Sequence, residues 1–420
     1  MDTIISTSTI SRELSFTGRS SHAMVAMAPA AGLVLASLAV VLATTLWTAA
    51  VHLLWRPYAV ARAFRRQGIR GPAYRFFVGN NEQVMAMRAA TADDVLDLGS
   101  HDIIARVMPQ YKAWVASYGK VFLSWSGYTP SLCVGDHDML TADVISHTAF
   151  GSSYREGKEV FVAQRELQYI AFSTMNNAAA KEAKGYGNDL LGLMLEANSS
   201  AGAGGQKAAA ISMDEIIDEC KTFFFAGHDT TSHLLTWAIF LLGTHPEWQQ
   251  KLREEVLREC GGTGTPLQGD ALNKLKLTTM VLYETLRLYG AVIMIARETR
   301  ADTELGGVKI PKGTTTMIPM AIMHRDEEVW GADAGEFKPD RFQNGVGRAA
   351  KHPSAMLAFS AGPRSCIGQD FAMLEAKATL AVILRRFEFE VAPEYVHAPA
   401  EFLTLQPKCG LPVLLKLLGQ

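Results

Sequence analysis

Phe359-Ser360-Ala361-Gly362-Pro363-Arg364-Ser365-Cys366-Ile367-Gly368 sets one cysteine in a loop punctuated by two glycines and a proline. An apolar-periodic segment follows at once and reads as a helix from about Gly368 to Arg386. Backbone N–H groups and the positive end of a helix favour the thiolate of such a cysteine, and glycines let a flat ligand approach the backbone. A lone cysteine at a helix start carries no such meaning, but the pattern F-x-x-G-x-R-x-C-x-G constrains its whole surroundings. The remaining cysteines, Cys133, Cys220, Cys260 and Cys409, are scattered without a C-x-x-C pair. They point to a reducing compartment and to neither a disulfide framework nor a zinc site.

Upstream, Ser212 and Glu215 form a capping box, and an apolar pattern runs from there to Leu242, where Gly243 stops it. At 1.5 Å per residue such a helix is roughly 45 Å long, enough to cross a whole globular body. Thr244 and Glu247, with Pro246 in the first turn, cap the next helix, which carries Trp248 to Arg258; another covers about Lys276 to Tyr289. Lys120 to Val134 reads as a hairpin around Gly127-Tyr128-Thr129-Pro130, Gly306 to Pro319 as short strands and turns, and Ser199 to Gly205 as a flexible linker. The expected fold class is mainly α with small β-sheets.

With 48% apolar and 20% charged residues in 420, the chain can bury a sizeable core. Forty basic against forty-two acidic side chains leave a net charge of -2, so no basic field points to nucleic acid. From Ala23 to Val51 there is no charged residue or histidine, a run longer than the roughly 20 residues that span a bilayer. Arg56, Arg62, Arg65, Arg66 and Arg70 follow it, against Arg12 and Arg19 before, which orients the body towards the cytosol. A cleaved signal peptide or a buried core helix is the alternative reading. The expected organisation is a polar tail (1–22), a transmembrane anchor (23–55), a basic linker (56–72) and a catalytic body (73–420).

Four motifs in order resemble the cytochrome P-450 superfamily of haem-thiolate monooxygenases: Ala226-Gly227-His228-Asp229-Thr230-Thr231, Glu284-Thr285-Leu286-Arg287, Phe337-Lys338-Pro339-Asp340-Arg341-Phe342, and the Cys366 loop. The resemblance implies that fold behind a single-pass anchor in the endoplasmic reticulum membrane. It implies haem ligated by Cys366, with Phe359, Gly362, Arg364 and Gly368 around it and Arg297 as a second propionate contact. Glu284, Arg287 and Arg341 become a charge network supporting the loop, although by spacing alone Glu284 and Arg287 are only an i,i+3 pair worth roughly 0.2–0.5 kcal/mol. Ala226 and Gly227 leave room for O2 in a helix where glycine costs about 1 kcal/mol, and Asp229 and Thr230 serve proton delivery. An acid paired with a lysine and a threonine bonded to its own helix carbonyl is the alternative. Val292, Ile293, Met294 and Phe402 to Leu405 match pocket-lining segments, or simple core. The partners implied are an apolar small-molecule substrate, O2, the membrane and an NADPH-dependent flavoprotein reductase.

Within the superfamily, Gln67 to Pro72, Leu140 to Phe161 and Ser360 to Phe387 resemble plant microsomal members that hydroxylate cytokinins, brassinosteroids, gibberellins or fatty acids. The resemblance is interrupted twice. None of the seven tryptophans has Lys or Arg four residues on, as a propionate-contacting helix of the family has, and Met139 runs straight into a segment similar to a later helix. A second abrupt join lies near Asn177. Both read as internal deletions, in an isoform or a misassembled gene product, and a shortened non-catalytic chain that holds haem poorly is the alternative function.

Overall fold

The computed structural model describes residues 21–136, 192, 194–195 and 212–418. The expected joins near 139 and 177, the linker at 199–205 and most of the tail lie outside the described residues. The chain divides into two compact units, Met1–Tyr58 and Ala59–Gln420. In the first, helix α1 (Ser21–Ala50) continues through a π-helical turn, Val51–Trp55. Leu38, Val41, Leu42, Leu46 and Trp47 are exposed along α1, and residues 36–66 hold the described helix long and apolar enough to cross a membrane. A continuous helix satisfies its own backbone groups, as hydrocarbon requires.

Helix α2 (Arg56–Arg66) leads into the second unit, followed by α3 (Asn81–Ala90) and α4 (Pro109–Tyr118). The hairpin forms as expected, β1 (Val121–Ser126) with β2 (Thr129–Val134), and joins β6 (Thr315–Ile318) and β3 (Ile295–Glu298) in a four-stranded sheet ordered β1-β2-β6-β3. Two-stranded pairs complete the β-structure: β4 (Thr303–Leu305) with β5 (Val308–Ile310), β7 (Phe387–Val391) with β10 (Val413–Leu417), and β8 (Pro399–Phe402) with β9 (Thr404–Pro407). The core is helical. It gathers on α5 (Met213–Thr244), α6 (Pro246–Cys260), α7 (Lys276–Tyr289) and α8 (Gln369–Arg386), around the buried Trp237, Phe240, Leu252, Val281 and Leu380.

The capping box at Ser212 and Glu215 opens α5 as the sequence predicts, but Gly243 does not stop it. The helix runs on to Thr244, and a Cβ at Gly243 would stand 3.0 Å from Val391 Cγ2 and 3.2 Å from Val391 N. The glycine is there because β7 packs against the helix backbone. Nor does Thr244 cap α6. Its hydroxyl donates back to Phe240 O and Leu241 O, and His245, with no capping hydrogen bond of its own, precedes Pro246 at the first turn. Caps instead come from neighbours: the Glu255 carboxylate of α6 accepts from Leu277 N at 2.7 Å and Thr278 N at 2.9 Å, completing the start of α7.

Glu284 and Arg287 of α7 are fully buried, and here burial overrides the spacing estimate. The guanidinium forks onto the carboxylate, Nε to Oε2 at 2.7 Å and Nη2 to Oε1 at 2.8 Å, and donates its other hydrogens to His324 O, Ala334 O and Glu336 O. All five N–H donors of the side chain therefore have acceptors. Glu284 also accepts from Lys338 N at 2.8 Å and lies 3.4 Å from Arg341 Nε. Arg341 in turn donates to Trp330 O and to Asp333, whose carboxyl Lys338 and Arg341 together hold down at about 2.

A second buried set carries no net charge. His101 Nδ1 lies 2.9 Å from Tyr289 OH, which lies 3.3 Å from His397 Nε2, and His397 Nδ1 lies 3.0 Å from Tyr395 OH. Trp237 stacks on Tyr289 and Phe240 on His397. Burial, reinforced by His245 and Arg325, holds His101 down from 6.5 to about 3, and burial with Arg106 holds His397 at about 4.

Two outcomes are expected. Glu284→Gln should cost about 3–5 kcal/mol in urea denaturation, because it strands a buried guanidinium; a loss below about 1 kcal/mol would make the pair no stronger than a surface one. Both histidines are neutral in the fold and take up protons on unfolding below pH 6.5. Stability should therefore fall with pH from 6.5 towards about 4 and 3, and be insensitive to these groups above that window. His101→Asn should flatten the dependence of the denaturation midpoint on pH between 6.5 and 5, and an unchanged slope would contradict the neutral state.

Candidate active site around Cys366

The cysteine loop is shaped by its backbone. Ser360 and Gly362 take left-handed conformations, with φ of 61° and 75°, and Ser360 N donates to Leu357 O at 2.7 Å. A 3-10 turn, Gly362–Arg364, then brings Cys366 N to Phe359 O at 2.8 Å, closing the loop on the partly buried Phe359. Gly368 is the N-cap of α8, and its N–H donates to the Cys366 sulfur.

Cys366 is exposed at the mouth of this loop. Desolvation by the surrounding loop pushes its pKa above the ordinary value of 9.0, and the Gly368 N–H offsets this only in part. One backbone donor does not outweigh the loss of water around the sulfur.

The loop rests on the buried ion pair. His324 Nε2 accepts from Leu357 N at 3.0 Å, while His324 O accepts from Arg287. One residue, through its ring and its carbonyl, thus ties the loop to Arg287, Glu284 and Arg341. The sequence reading missed His324, because His324-Arg325-Asp326 at the end of a short helix offers no spacing signal; Asp333, the anchor of Arg341, was missed for the same reason.

Arg297 and Arg364 come from different elements, β3 and the loop, yet interact. Burial and then the positive charge of Arg364 depress the Arg297 pKa. Two cations near enough to repel favour an anion beside them. Strand pairing of Arg297 with Thr316 sets its height on the sheet.

On α5, Phe225, Ala226, Gly227 and His228 are exposed, whereas Leu234, Trp237, Ala238 and Leu241 further along are buried. Apart from its chain neighbours and the backbone of its own helix, no described atom stands within 4 Å of where a Gly227 Cβ would be, so packing against other elements does not demand this glycine. Thr230 Oγ1 donates to Ala226 O at 2.6 Å, the helix-carbonyl bond of the alternative reading, which leaves the hydroxyl oxygen free to accept. Among the described residues Asp229 has no lysine partner. Its Oδ2 accepts from Thr404 Oγ1 at 2.6 Å and lies 3.7 Å from His233 Nδ1. His233 was not legible as a site residue, although it stands one turn beyond Asp229, and Thr404 was read only as part of the pocket-lining segment Phe402 to Leu405.

A flat apolar macrocycle with two carboxylates and a metal needs a soft ligand, cations for its acid edge and apolar surface for its faces. Exposed Cys366, the Arg297 and Arg364 pair, and exposed Val292, Ile367 and Phe371 provide that donor set, so these residues fit haem.

Comparison with known proteins agrees. The cytochrome P-450 family model matches residues 150–411. Cytochrome P-450 709B1 of Arabidopsis thaliana is 35% identical, with 91% of this chain and 98% of that protein covered. Cytochrome P-450 734A6 of rice is 34% identical, covering 87% and 92%, and secologanin synthase 1 of Catharanthus roseus 32%, covering 89% and 97%. The first alignment runs over 514 positions against a chain of 420, so at least 94 positions (514 less 420) hold residues in the relative and none here. The chain belongs to the cytochrome P-450 family of haem-dependent monooxygenases.

Proposed function

We propose that this chain hydroxylates an apolar small molecule, of hormone, fatty-acid or terpenoid type, at the cytosolic face of the endoplasmic reticulum. Its electrons come from an NADPH-dependent flavoprotein reductase, for the sequence has no G-x-G-x-x-G between a strand and a helix to bind a dinucleotide itself. The apolar helix in residues 36–66 and the arginines after it support the anchored orientation. The observation that carries the reading is Cys366, exposed in a loop closed by its own backbone and tied through His324 to a buried ion pair.

In this reading Cys366 Sγ is the iron ligand, Arg297 and Arg364 hold the two propionates, and Phe359, Gly362 and Gly368 keep the loop close against the macrocycle. A thiolate-ligated haem supplies dioxygen activation and O–O cleavage when bound. Inserting one oxygen atom and releasing the other as water consumes two electrons and two protons, so the protein must deliver protons while excluding bulk water. Ala226 and Gly227 leave space beside α5 for O2. Asp229 supplies the proton from its carboxyl, and Thr230, its own hydrogen committed to Ala226 O, accepts with its lone pairs and orients the delivery.

A second reading is favoured by the 94 or more unmatched alignment positions. If they fall at the joins near 139 and 177, the missing segments include a propionate-binding helix and the roof of the pocket. The product would then be a non-catalytic form that holds haem poorly.

The reduced carbon-monoxide difference spectrum of the purified chain separates the two. The thiolate-type Soret band is expected, and its absence would favour the non-catalytic form. Cys366→Ala should abolish that band even where some haem remains; its retention would make Cys366 the wrong ligand. Thr230→Ala should divert electrons from product to hydrogen peroxide, by roughly the hundredfold a positioned proton-transfer group contributes at the low end. Unchanged coupling would leave Thr230 only its helix bond.

A further inference from the structure

The polar cluster behind Asp229 has a direction. Asp229 Oδ2 and Thr404 Oγ1 are 2.6 Å apart, and Thr404 Oγ1 is 3.1 Å from His233 Nδ1. A hydroxyl has one hydrogen. The short contact to a carboxylate assigns it to Asp229, so the contact to His233 is a hydrogen bond only if Nδ1 carries a hydrogen and donates. The result is a chain in which every donor points the same way: His233 Nδ1–H to Thr404 Oγ1–H to Asp229 Oδ2.

Its geometry is held from several sides. Asp229 and His233 lie one turn apart on α5, with side chains 29% and 14% exposed. Thr404 is the first residue of β9 and is buried. The next residue is pinned twice, Leu405 O accepting from Trp237 Nε1 at 2.9 Å and Leu405 N donating to Ala291 O at 2.8 Å. On the other side Leu403 is held at φ 75°, a conformation a leucine adopts only under constraint. The β8–β9 hairpin is therefore set on α5 so that the Thr404 hydroxyl falls between the two side chains.

We propose that His233 and Thr404 are positioning residues forming a one-way proton relay that recharges Asp229. This rests on the reading of Asp229 as proton donor of the monooxygenase. When Asp229 gives up a proton from Oδ1, the Thr404 hydrogen passes to Oδ2 and the His233 Nδ1 hydrogen passes to Thr404 Oγ1. One proton crosses in all: as His233 Nδ1 gives up its hydrogen, Nε2 takes one from solvent, so the neutral ring passes from the Nδ1–H to the Nε2–H tautomer and Asp229 is again a carboxylic acid.

The test combines a readout independent of turnover with one that depends on it. Nitrogen-15 NMR of histidine-labelled chain, with the His233 signal assigned by its loss in His233→Gln, should show hydrogen on Nδ1. Thr404→Val should move it to Nε2, and Thr404→Ser should keep it on Nδ1. His233→Gln retains a donor towards Thr404 but cannot exchange its proton. Amide hydrogen exchange across residues 399–407 should therefore stay as in the unsubstituted chain, while the ratio of product to hydrogen peroxide falls roughly tenfold. An Nε2–H tautomer in the unsubstituted chain, or unchanged coupling in His233→Gln, would overturn the relay. A lost thiolate-type carbon-monoxide band with the Nδ1–H tautomer intact would instead overturn the monooxygenase reading and leave the hydrogen-bond chain standing.

Discussion

The Glu284 carboxylate and the Arg287 guanidinium share a fully buried space inside the helical core, and much of the second unit is organised by the need to satisfy them. Charges there are tolerable only when every hydrogen and lone pair is engaged. Arg287 achieves this by drawing in carbonyls at 324, 334 and 336, and Glu284 by drawing in Lys338 N and Arg341. The segment of short turns from 324 to 341 is thereby fixed to α7. The same constraint reaches the reactive thiol, because His324 serves Arg287 with its carbonyl and Leu357 with its ring. The left-handed Ser360 beyond Leu357 is held by that attachment.

Helix α5 divides its length between packing and chemistry. Its carboxyl-terminal half is core, with β7 lying so close that a Cβ at residue 243 would press on Val391. Its middle, from Phe225 to His228, is exposed, and there a Cβ on the glycine would meet no other described element. At the border between the two, Asp229, His233 and Trp237 succeed one another at intervals of four and all three reach the start of β9. A single helix face thus passes from structural contacts to the acid of the proposed reaction within two turns. An acid so anchored is held in one orientation, which preorganisation of proton transfer requires.

The family motifs stand in one chain order, and the capping box, the hairpin, the helices at 276–289 and 369–386 and the apolar run at 23–51 follow from local pattern. Short-range rules suffice for them because a cap, a turn or an amphipathic stripe involves neighbours in sequence. Cys366 and the order of motifs were legible for the same reason. Local rules failed where a distant strand or helix supplied the partner. Gly243 reads as a stop by propensity and is in fact a close approach to Val391; Thr244 reads as a cap and bonds backward instead.

What the sequence by itself determined is the inventory: an apolar run long enough to span a bilayer, a helical body with small sheets, a cysteine loop and the acid–alcohol pair of α5. Tertiary structure decided what those residues meet. It turned an i,i+3 pair of marginal value into a buried hub, placed the charge of Arg364 where it depresses the Arg297 pKa, desolvated the Cys366 thiol, and gave Asp229 a threonine and a histidine as its partners among the described residues. The physical reason is common to all four. Burial and long-range juxtaposition set the strength of a charge and the identity of its partner, and neither quantity is a function of sequence spacing.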